Sequence, residues 1–128
     1  MNSLVRRLYF LTRFFSSPRR IGSITPSSRF LVNALLQSIS WSEIHTIVEL
    51  GAGTGVVTRE IERRKFNDCL AVIFESDPYL RKQLLMENPN RVICSDAKKL
   101  VEELQNLNRK KVECIVSSLP FANFTPYE

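Results

Sequence analysis

The chain has 128 residues, of which 44% are hydrophobic, and a formal net charge of +5. This length fits one domain with a single apolar core. With one histidine in the whole sequence, His45, a histidine-rich metal centre and a Ser-His-Asp triad are both disfavoured. The three cysteines lie in or beside apolar runs without CxxC spacing, so we expect reduced core thiols in a reducing compartment: Cys69, Cys94 and Cys114.

The positive charge is concentrated at the N-terminus, which we define as an arm of residues 1–26. No acidic residue precedes Glu43, whereas six arginines do: Arg6, Arg7, Arg13, Arg19, Arg20 and Arg29. The rest of the chain is nearly neutral. The charge therefore predicts an anionic partner for the arm, either a phospholipid surface or nucleic acid.

The first predicted element is a basic amphipathic helix over residues 3–15. At about 100° per residue, Arg6 and Arg13 point away from one apolar sector, which contains Leu4, Leu8, Leu11 and Phe15. Such a helix lies in the interface of an anionic membrane and is too short and too charged to span it. Two alternatives are a helix packed on its own domain and a mitochondrial presequence, which has a similar arginine-rich start.

After a loop rich in Pro, Gly and Ser, the sequence predicts alternating helices and strands. A helix begins at Ser27 or Ser28 and continues to about Ile39, with apolar positions at helical spacing: Phe30, Leu31, Ala34, Leu35 and Ile39. Strands are predicted at 46–50, 70–74, 91–94 and 112–116, and helices at 54–65, 78–87 and 97–107.

The caps and apolar positions support these elements. Asp77 and Pro78 fit an N-cap and first-turn proline. In the last helix, the side chains expected to face inward are Leu100, Val101, Leu104 and Leu107. Because the strands are apolar throughout and separated by helices, the sequence predicts an α/β fold with a parallel sheet covered on both faces.

The most informative motif is Glu49-Leu-Gly-Ala-Gly-Thr-Gly55, at the end of the 46–50 strand. Closely spaced glycines let a backbone turn sharply and approach a ligand. The spacing excludes a dinucleotide fingerprint, because its sixth position is Val56, and no Gly-Lys-Ser/Thr follows to make a phosphate loop. Glu49 would repel a pyrophosphate but attract an ammonium or sulfonium group. The motif therefore predicts a nucleoside pocket.

Polar residues follow the other predicted strands, at the edge where ligands of parallel sheets bind. Glu75 could accept hydrogen bonds from two ribose hydroxyls. Asp96 could accept one from an adenine amino group or cap the next helix, and the two roles are compatible. The last strand ends in Ser117-Ser-Leu-Pro-Phe121, which brings a polar oxygen, a rigid proline and an aromatic ring to the same edge.

Taken together, Glu49–Gly55, Glu75, Asp96 and Ser118-Leu-Pro-Phe121 resemble the class I S-adenosylmethionine-dependent methyltransferases. The resemblance implies a Rossmann-like domain over residues 27–128 with S-adenosylmethionine as cofactor. The glycines would border its methionine part, Glu75 would hold the ribose and Asp96 the adenine. The full set of implied cofactor contacts is Glu49, Gly51, Ala52, Gly53, Gly55, Glu75, Ser76, Asp96 and Ala97.

The Leu-Pro-Phe sequence resembles two branches of this class, the ribosomal RNA adenine dimethylases and the bacterial phospholipid N-methyltransferases. Ser118 stands where the RNA enzymes usually carry Asn, and Phe14–Arg29 is similar to the corresponding segment of the lipid enzymes. The resemblance therefore favours a phosphatidylethanolamine-type head group over nucleic acid. It also implies a cytoplasmic protein that is peripheral at the inner membrane.

The implied chemistry needs no obligatory base, because the sulfonium carries its own leaving group. Residues that would orient the amine and stabilise the developing ammonium, the latter through the aromatic ring, are Ser117, Ser118, Pro120 and Phe121. Residues that would bind the lipid, its phosphate through arginine, are Ser28, Arg29, Arg19 and Arg20.

One departure from the class concerns the end of the chain. The complete fold has further strands beyond the four predicted here, so the sequence predicts a domain truncated after the fourth. An open strand edge would then be covered by a partner or by self-association. Two alternatives follow: an RNA adenine N6-methyltransferase, and an inactive truncated domain that binds only a membrane or a partner.

Overall fold

The structure, a computed structural model, describes the backbone of residues 5–10 and 26–118 and the side chains of residues 29–118. No helix in these ranges is long and apolar enough to cross a bilayer. Short 3-10 turns occur at Trp41–Glu43 and Ala97–Lys99. The strands and helices in chain order are β1 Val5–Phe10, α1 Pro26–Gln37, β2 Thr46–Leu50, α2 Val56–Arg64, β3 Leu70–Phe74, α3 Pro78–Glu87, β4 Val92–Cys94, α4 Leu100–Asn106 and β5 Val112–Ser117.

The strands form one parallel sheet in the order β1-β5-β2-β3-β4. From β2 the chain builds outward through β3 and β4, and then returns to the other side of β2 with β5. The topological switch point, where open α/β sheets bind ligands, thus lies beyond the carboxyl ends of β2 and β5. The register pairs Leu50 with both Phe74 and Ser117, so three strand ends meet there. The predicted Rossmann-like α/β fold is confirmed.

Helices cover both faces of the sheet, which explains why β2 and β5 are apolar along most of their length. On one face, α1 and α2 pack on the sheet through Val32, Leu36, Val57, Ile61, Ile47 and Val116. On the other face, α4 packs through Leu104 on Val48, Val72 and Ile115. The site at the strand ends is therefore supported by a core on each side of the sheet.

The inward-facing positions of two helices differ from the prediction. Phe30 is 70% exposed and Leu31 38%, while Val32 and Leu36 fill the core. In α4, Val101 is 51% exposed although its neighbours pack inward. Apolar residues lie on more than one face of α1, so the sequence periodicity could not identify the buried face. Contact with α2 and the sheet determines which face is buried.

The amphipathic helix predicted for residues 3–15 is wrong where the chain is described, because Val5–Phe10 forms β1. This strand pairs in parallel with β5, from Val5 opposite Val112 to Phe10 opposite Ser117. The edge of β5 presents backbone donors and acceptors that a strand satisfies. The expected open edge of β5 is therefore covered by residues 5–10 of the same chain.

Candidate functional site

The glycine motif forms the predicted turn between β2 and α2. Gly51, Gly53 and Gly55 have φ angles of 80°, 58° and 91°, in the left-handed region that favours glycine. A Cβ on Gly55 would lie 2.8 Å from Cδ2 of Leu84 and 3.0 Å from Nη1 of Arg59. The backbone conformation therefore favours glycine at position 55, and a side chain there would also displace the ends of two neighbouring side chains.

Backbone amides of this turn are already engaged within the protein. Four of them donate hydrogen bonds: Gly51 N to Phe74 O at 2.8 Å, Ala52 N to Phe74 O at 3.3 Å, Gly53 N to Glu75 Oε1 at 2.7 Å and Gly55 N to Ala52 O at 3.0 Å. A phosphate-binding turn must instead point such donors at its anion. These four donors are therefore not directed at a ligand.

Glu49 places a buried carboxyl group beneath the turn. It is 2% exposed, and its Oε1 accepts a hydrogen bond from Thr58 Oγ1 at 2.5 Å. Its Oε2 is buried without a hydrogen-bond partner among the described residues. Burial raises the pKa of Glu49 to about 7, against the opposing effect of the Thr58 bond. A nearby cation would stabilise the ionised form and use the spare oxygen.

Glu75 connects the glycine turn to the turn that follows β3. Its Oε1 accepts from Gly53 N at 2.7 Å and its Oε2 from Asp77 N at 2.9 Å. Each carboxylate oxygen keeps a second lone pair, so ribose hydroxyls can be accepted without breaking these bonds. Ser76, predicted to contact the cofactor, lies beside it, and Arg81 Nη1 donates to its carbonyl at 2.7 Å.

Asp96 caps the turn that precedes α4. Its Oδ1 accepts a hydrogen bond from Lys98 N at 2.9 Å, and Ala97 begins the 3-10 turn there. Of the two roles that the sequence left open, the cap is observed. Contact with an adenine amino group stays a prediction for Asp96, as does cofactor contact for Ala97.

The end of β5 lies beside the glycine turn, because Ser118 N donates to Leu50 O at 2.9 Å. Ser117 is fully buried, whereas Ser118 is half-buried. Ser118 is therefore the better placed of the two hydroxyls to meet an amine. Pro120 and Phe121 lie outside the described residues.

Among the predicted lipid-binding residues, Arg29 is described with its side chain. It is exposed and borders a groove of about 880 Å³ between α1, α2 and the end of α3. Ser28 lies in the first turn of α1, and only its backbone is described. Arg19 and Arg20 lie outside the described residues, so their predicted contact with a lipid phosphate stays a prediction.

Two residues of α2 were missed from the sequence. Thr58 is 1% exposed and satisfies one oxygen of Glu49, and Arg59 contacts the glycine turn through Thr54 O at 3.1 Å. Thr58 could have been found from its position one turn into the helix that follows the glycines. Nothing in the sequence distinguishes Arg59 from the other arginines of the same helix.

Two known proteins match the chain. It is 34% identical over 119 residues to an ornithine lipid N-methyltransferase of Singulisphaera acidiphila, covering 90% of this chain and 62% of that protein. It is 27% identical over 109 residues to ribosomal RNA small subunit methyltransferase A of Mesoplasma florum, covering 80% of this chain and 40% of that protein. The chain resembles the class I S-adenosylmethionine-dependent methyltransferases. No protein-family model matches it, and no solved structure matches it significantly.

The residues at the switch point fit the cofactor of this methyltransferase class. A sulfonium and an ammonium group call for a buried acceptor such as Glu49 Oε2, and a ribose calls for a carboxylate such as Glu75. Glu49 and Glu75 are therefore the two carboxylates that would hold this cofactor. Within the described ranges, no group of three or more His, Cys, Asp or Glu residues could hold a metal ion.

Proposed function

We propose that this protein is an S-adenosylmethionine-dependent N-methyltransferase that acts on the amine of a membrane lipid head group. The observation that carries the proposal is the buried Oε2 of Glu49, without a partner among the described residues, beside a glycine turn of which four amides are already engaged. Such a pocket suits a positively charged ligand without phosphate. The similarity to an ornithine lipid N-methyltransferase supports a lipid amine as acceptor.

The protein's task in this reaction is alignment. When bound, the cofactor would supply the methyl group of its sulfonium. The rest of the cofactor would then leave as a neutral thioether. Glu49 holds the positive charge, while Glu75 and Asp96 fix the nucleoside at the ends of β3 and β4. Ser118 orients the neutral amine in line with the methyl carbon, and the predicted partner of the developing ammonium is Phe121.

The surface of α1 supports a lipid acceptor. Phe30 and Leu31 are exposed next to Arg29, in a part of the chain where no acidic residue precedes Glu43. Bulky apolar side chains flanked by positive charge bind the interface of an anionic membrane. We assign the membrane contact first to this face of α1. Membrane contact by residues 3–15 remains a second proposal, although Val5–Phe10 forms a strand and not the predicted helix.

The deciding experiment is transfer of radiolabelled methyl groups from S-adenosylmethionine. Vesicles containing phosphatidylethanolamine, vesicles containing an ornithine lipid, and ribosomal RNA are offered in parallel. Label in either lipid supports the proposal. Label in RNA alone would replace it with the adenine N6-methyltransferase that the second relative suggests. Binding of S-adenosylhomocysteine without any transfer would favour the inactive domain.

The same assay distinguishes the two lipids through Arg29. An ornithine lipid carries no phosphate, whereas phosphatidylethanolamine does. If Arg29 binds the lipid phosphate, Arg29→Gln lowers transfer to phosphatidylethanolamine by roughly tenfold. Transfer to an ornithine lipid falls less, because that lipid loses only the contribution of Arg29 to membrane binding. An equal loss on both lipids would contradict a phosphate-binding role.

A further inference from the structure

We infer that Arg59 is a positioning residue that holds the glycine turn in its ligand-binding conformation. Its Nη1 donates to the carbonyl of Thr54 at 3.1 Å and to the carboxylate of Glu87 at 3.1 and 3.3 Å. Arg59 thus joins the turn to the last residue of α3. For its cofactor readout the inference rests on the function proposed above.

The contact with Thr54 matters because it fixes one peptide group at both ends. On one side, Gly55 N donates to Ala52 O at 3.0 Å; on the other, Thr54 O accepts from Arg59. Glycine has the greatest backbone freedom of any residue, so the Thr54–Gly55 peptide needs such restraint. The position of the guanidinium, 3.0 Å from where a Gly55 Cβ would lie, shows that it packs directly against the turn.

Glu87 is itself held in place by Arg91. Arg91 Nη2 donates to Glu87 Oε1 at 2.8 Å, and the Arg91 side chain is 3% exposed. Arg91 also forms two bonds of 2.7 Å with Glu62 and one of 2.8 Å with the carbonyl of Leu84. The restraint on the turn therefore begins at a buried arginine just before β4 that makes four hydrogen bonds.

Glu87 stays ionised at neutral pH, as the restraint requires. The hydrogen bond from Arg91, with a further bond from Arg59, holds the pKa of Glu87 below its usual range. Both partners of the Arg59–Glu87 pair are 46% exposed, so the pair alone adds little stability. The pair matters because it holds the Arg59 guanidinium against the glycine turn.

The simplest rival is that Arg59 only links α2 to α3. Two single variants separate the two roles. Arg59→Met and Glu87→Gln both remove the interhelical ion pair, but only Arg59→Met removes the donor to the Thr54 carbonyl. A linking role predicts equal losses in the two variants, whereas a positioning role predicts the larger loss in Arg59→Met.

The experiment measures hydrogen exchange of the backbone amides of residues 53–56 and the affinity for S-adenosylhomocysteine. In Arg59→Met we expect exchange roughly tenfold faster and affinity roughly tenfold weaker, as for loss of one charge-assisted hydrogen bond. Arg59→Lys keeps one donor and recovers part of both. Arg63→Met changes neither, because Arg63 lies one turn further along α2 and pairs with Glu60.

The comparison with Glu87→Gln decides the outcome. We expect this variant to keep slower exchange and tighter binding than Arg59→Met, because Arg59 can still donate to the Thr54 carbonyl. Losses in Glu87→Gln as large as those in Arg59→Met would overturn the inference in favour of the linking role. If the wild-type protein fails to bind S-adenosylhomocysteine, the proposed function fails, and hydrogen exchange still decides whether Arg59 restrains the turn.

Discussion

At the scale of single residues, the buried carboxyl of Glu49 lowers the stability of the fold, and in the proposed function it binds the positive charge of the ligand. This carboxyl is buried, and burial raises its pKa from the ordinary value of 4.5 to about 7. Between these two pH values the folded state therefore keeps a proton that the unfolded state has lost. It follows that the free energy of unfolding falls as the pH rises from about 4.5 to about 7, because burial disfavours the ionised form of Glu49.

Glu49→Gln tests both the effect of this carboxyl on stability and its effect on ligand affinity. At about pH 8 the variant should be more stable than the wild type by up to about 3 kcal/mol, since the buried charge is gone. Its affinity for S-adenosylhomocysteine should nevertheless fall roughly tenfold, since the ammonium loses its partner. Urea denaturation and calorimetry measure the two effects. Glu102→Gln, at an exposed position of α4, is the control, and a stability that is independent of pH in the wild type would contradict the prediction.

Gly53 and Gly55 form a second test at this scale. A Cβ at position 53 would meet nothing within 4 Å, whereas one at position 55 would lie 2.8 Å from Leu84. Gly53→Ala should therefore cost about 1–2 kcal/mol from its left-handed backbone alone. Gly55→Ala should cost more, because a steric clash is added. Thermal unfolding of the two variants compares them, and equal losses would show that the turn relaxes around the new methyl group.

At the scale of elements, α1 has two unlike faces. Val32 and Leu36 anchor it to α2 and the sheet, while Phe30 and Leu31 remain exposed beside Arg29. An exposed phenylalanine contributes nothing to the core, so its removal should not lower stability. Its contribution should appear only when the helix meets a lipid interface.

Phe30→Ser should weaken binding to anionic vesicles at least about tenfold, which corresponds to burial of part of one aromatic side chain. Its melting temperature should match that of the wild type. Tyr79→Ser on α3 is the matched control, because Tyr79 is 66% exposed and Phe30 is 70% exposed. Vesicle co-sedimentation measures the binding. Equal binding by both variants would remove α1 from the membrane contact.

At the scale of the whole molecule, the sheet order places the site. Because β5 returns beside β2, the glycine turn, Glu75 and Ser118 emerge from neighbouring strands. β1 then extends the sheet beyond β5 with residues from the start of the chain. The strand next to the acceptor side of the site is thus supported by a segment distant in sequence.

Removal of residues 1–10 should expose the edge of β5. We expect a lower melting temperature and association that increases with protein concentration, because unpaired strand edges recruit other strands. Size-exclusion chromatography with light scattering measures the association. Removal of residues 1–4 alone leaves β1 intact and serves as the control. A monomer of unchanged stability after the longer deletion would show that β1 does not protect this edge.

Local signals in the sequence determined the fold class, the strands β2 to β5 and the glycine turn. The 70–74 strand and the 78–87 helix agree with β3 and α3 residue for residue, since caps and continuous apolar runs act over a few neighbours. The buried face of α1 and the strand at Val5–Phe10 were not predicted, because each depends on packing against residues that are distant in sequence.

For the site, the sequence by itself determined which residue types stand at the strand ends. Only the tertiary structure decided that one oxygen of Glu49 is buried without a partner, and that Arg59 contacts Thr54. Burial and hydrogen bonding depend on groups brought together from α2, α3 and β4. No local pattern encodes such contacts, so the residues at the strand ends could be named from the sequence, but their burial and their hydrogen bonds could not.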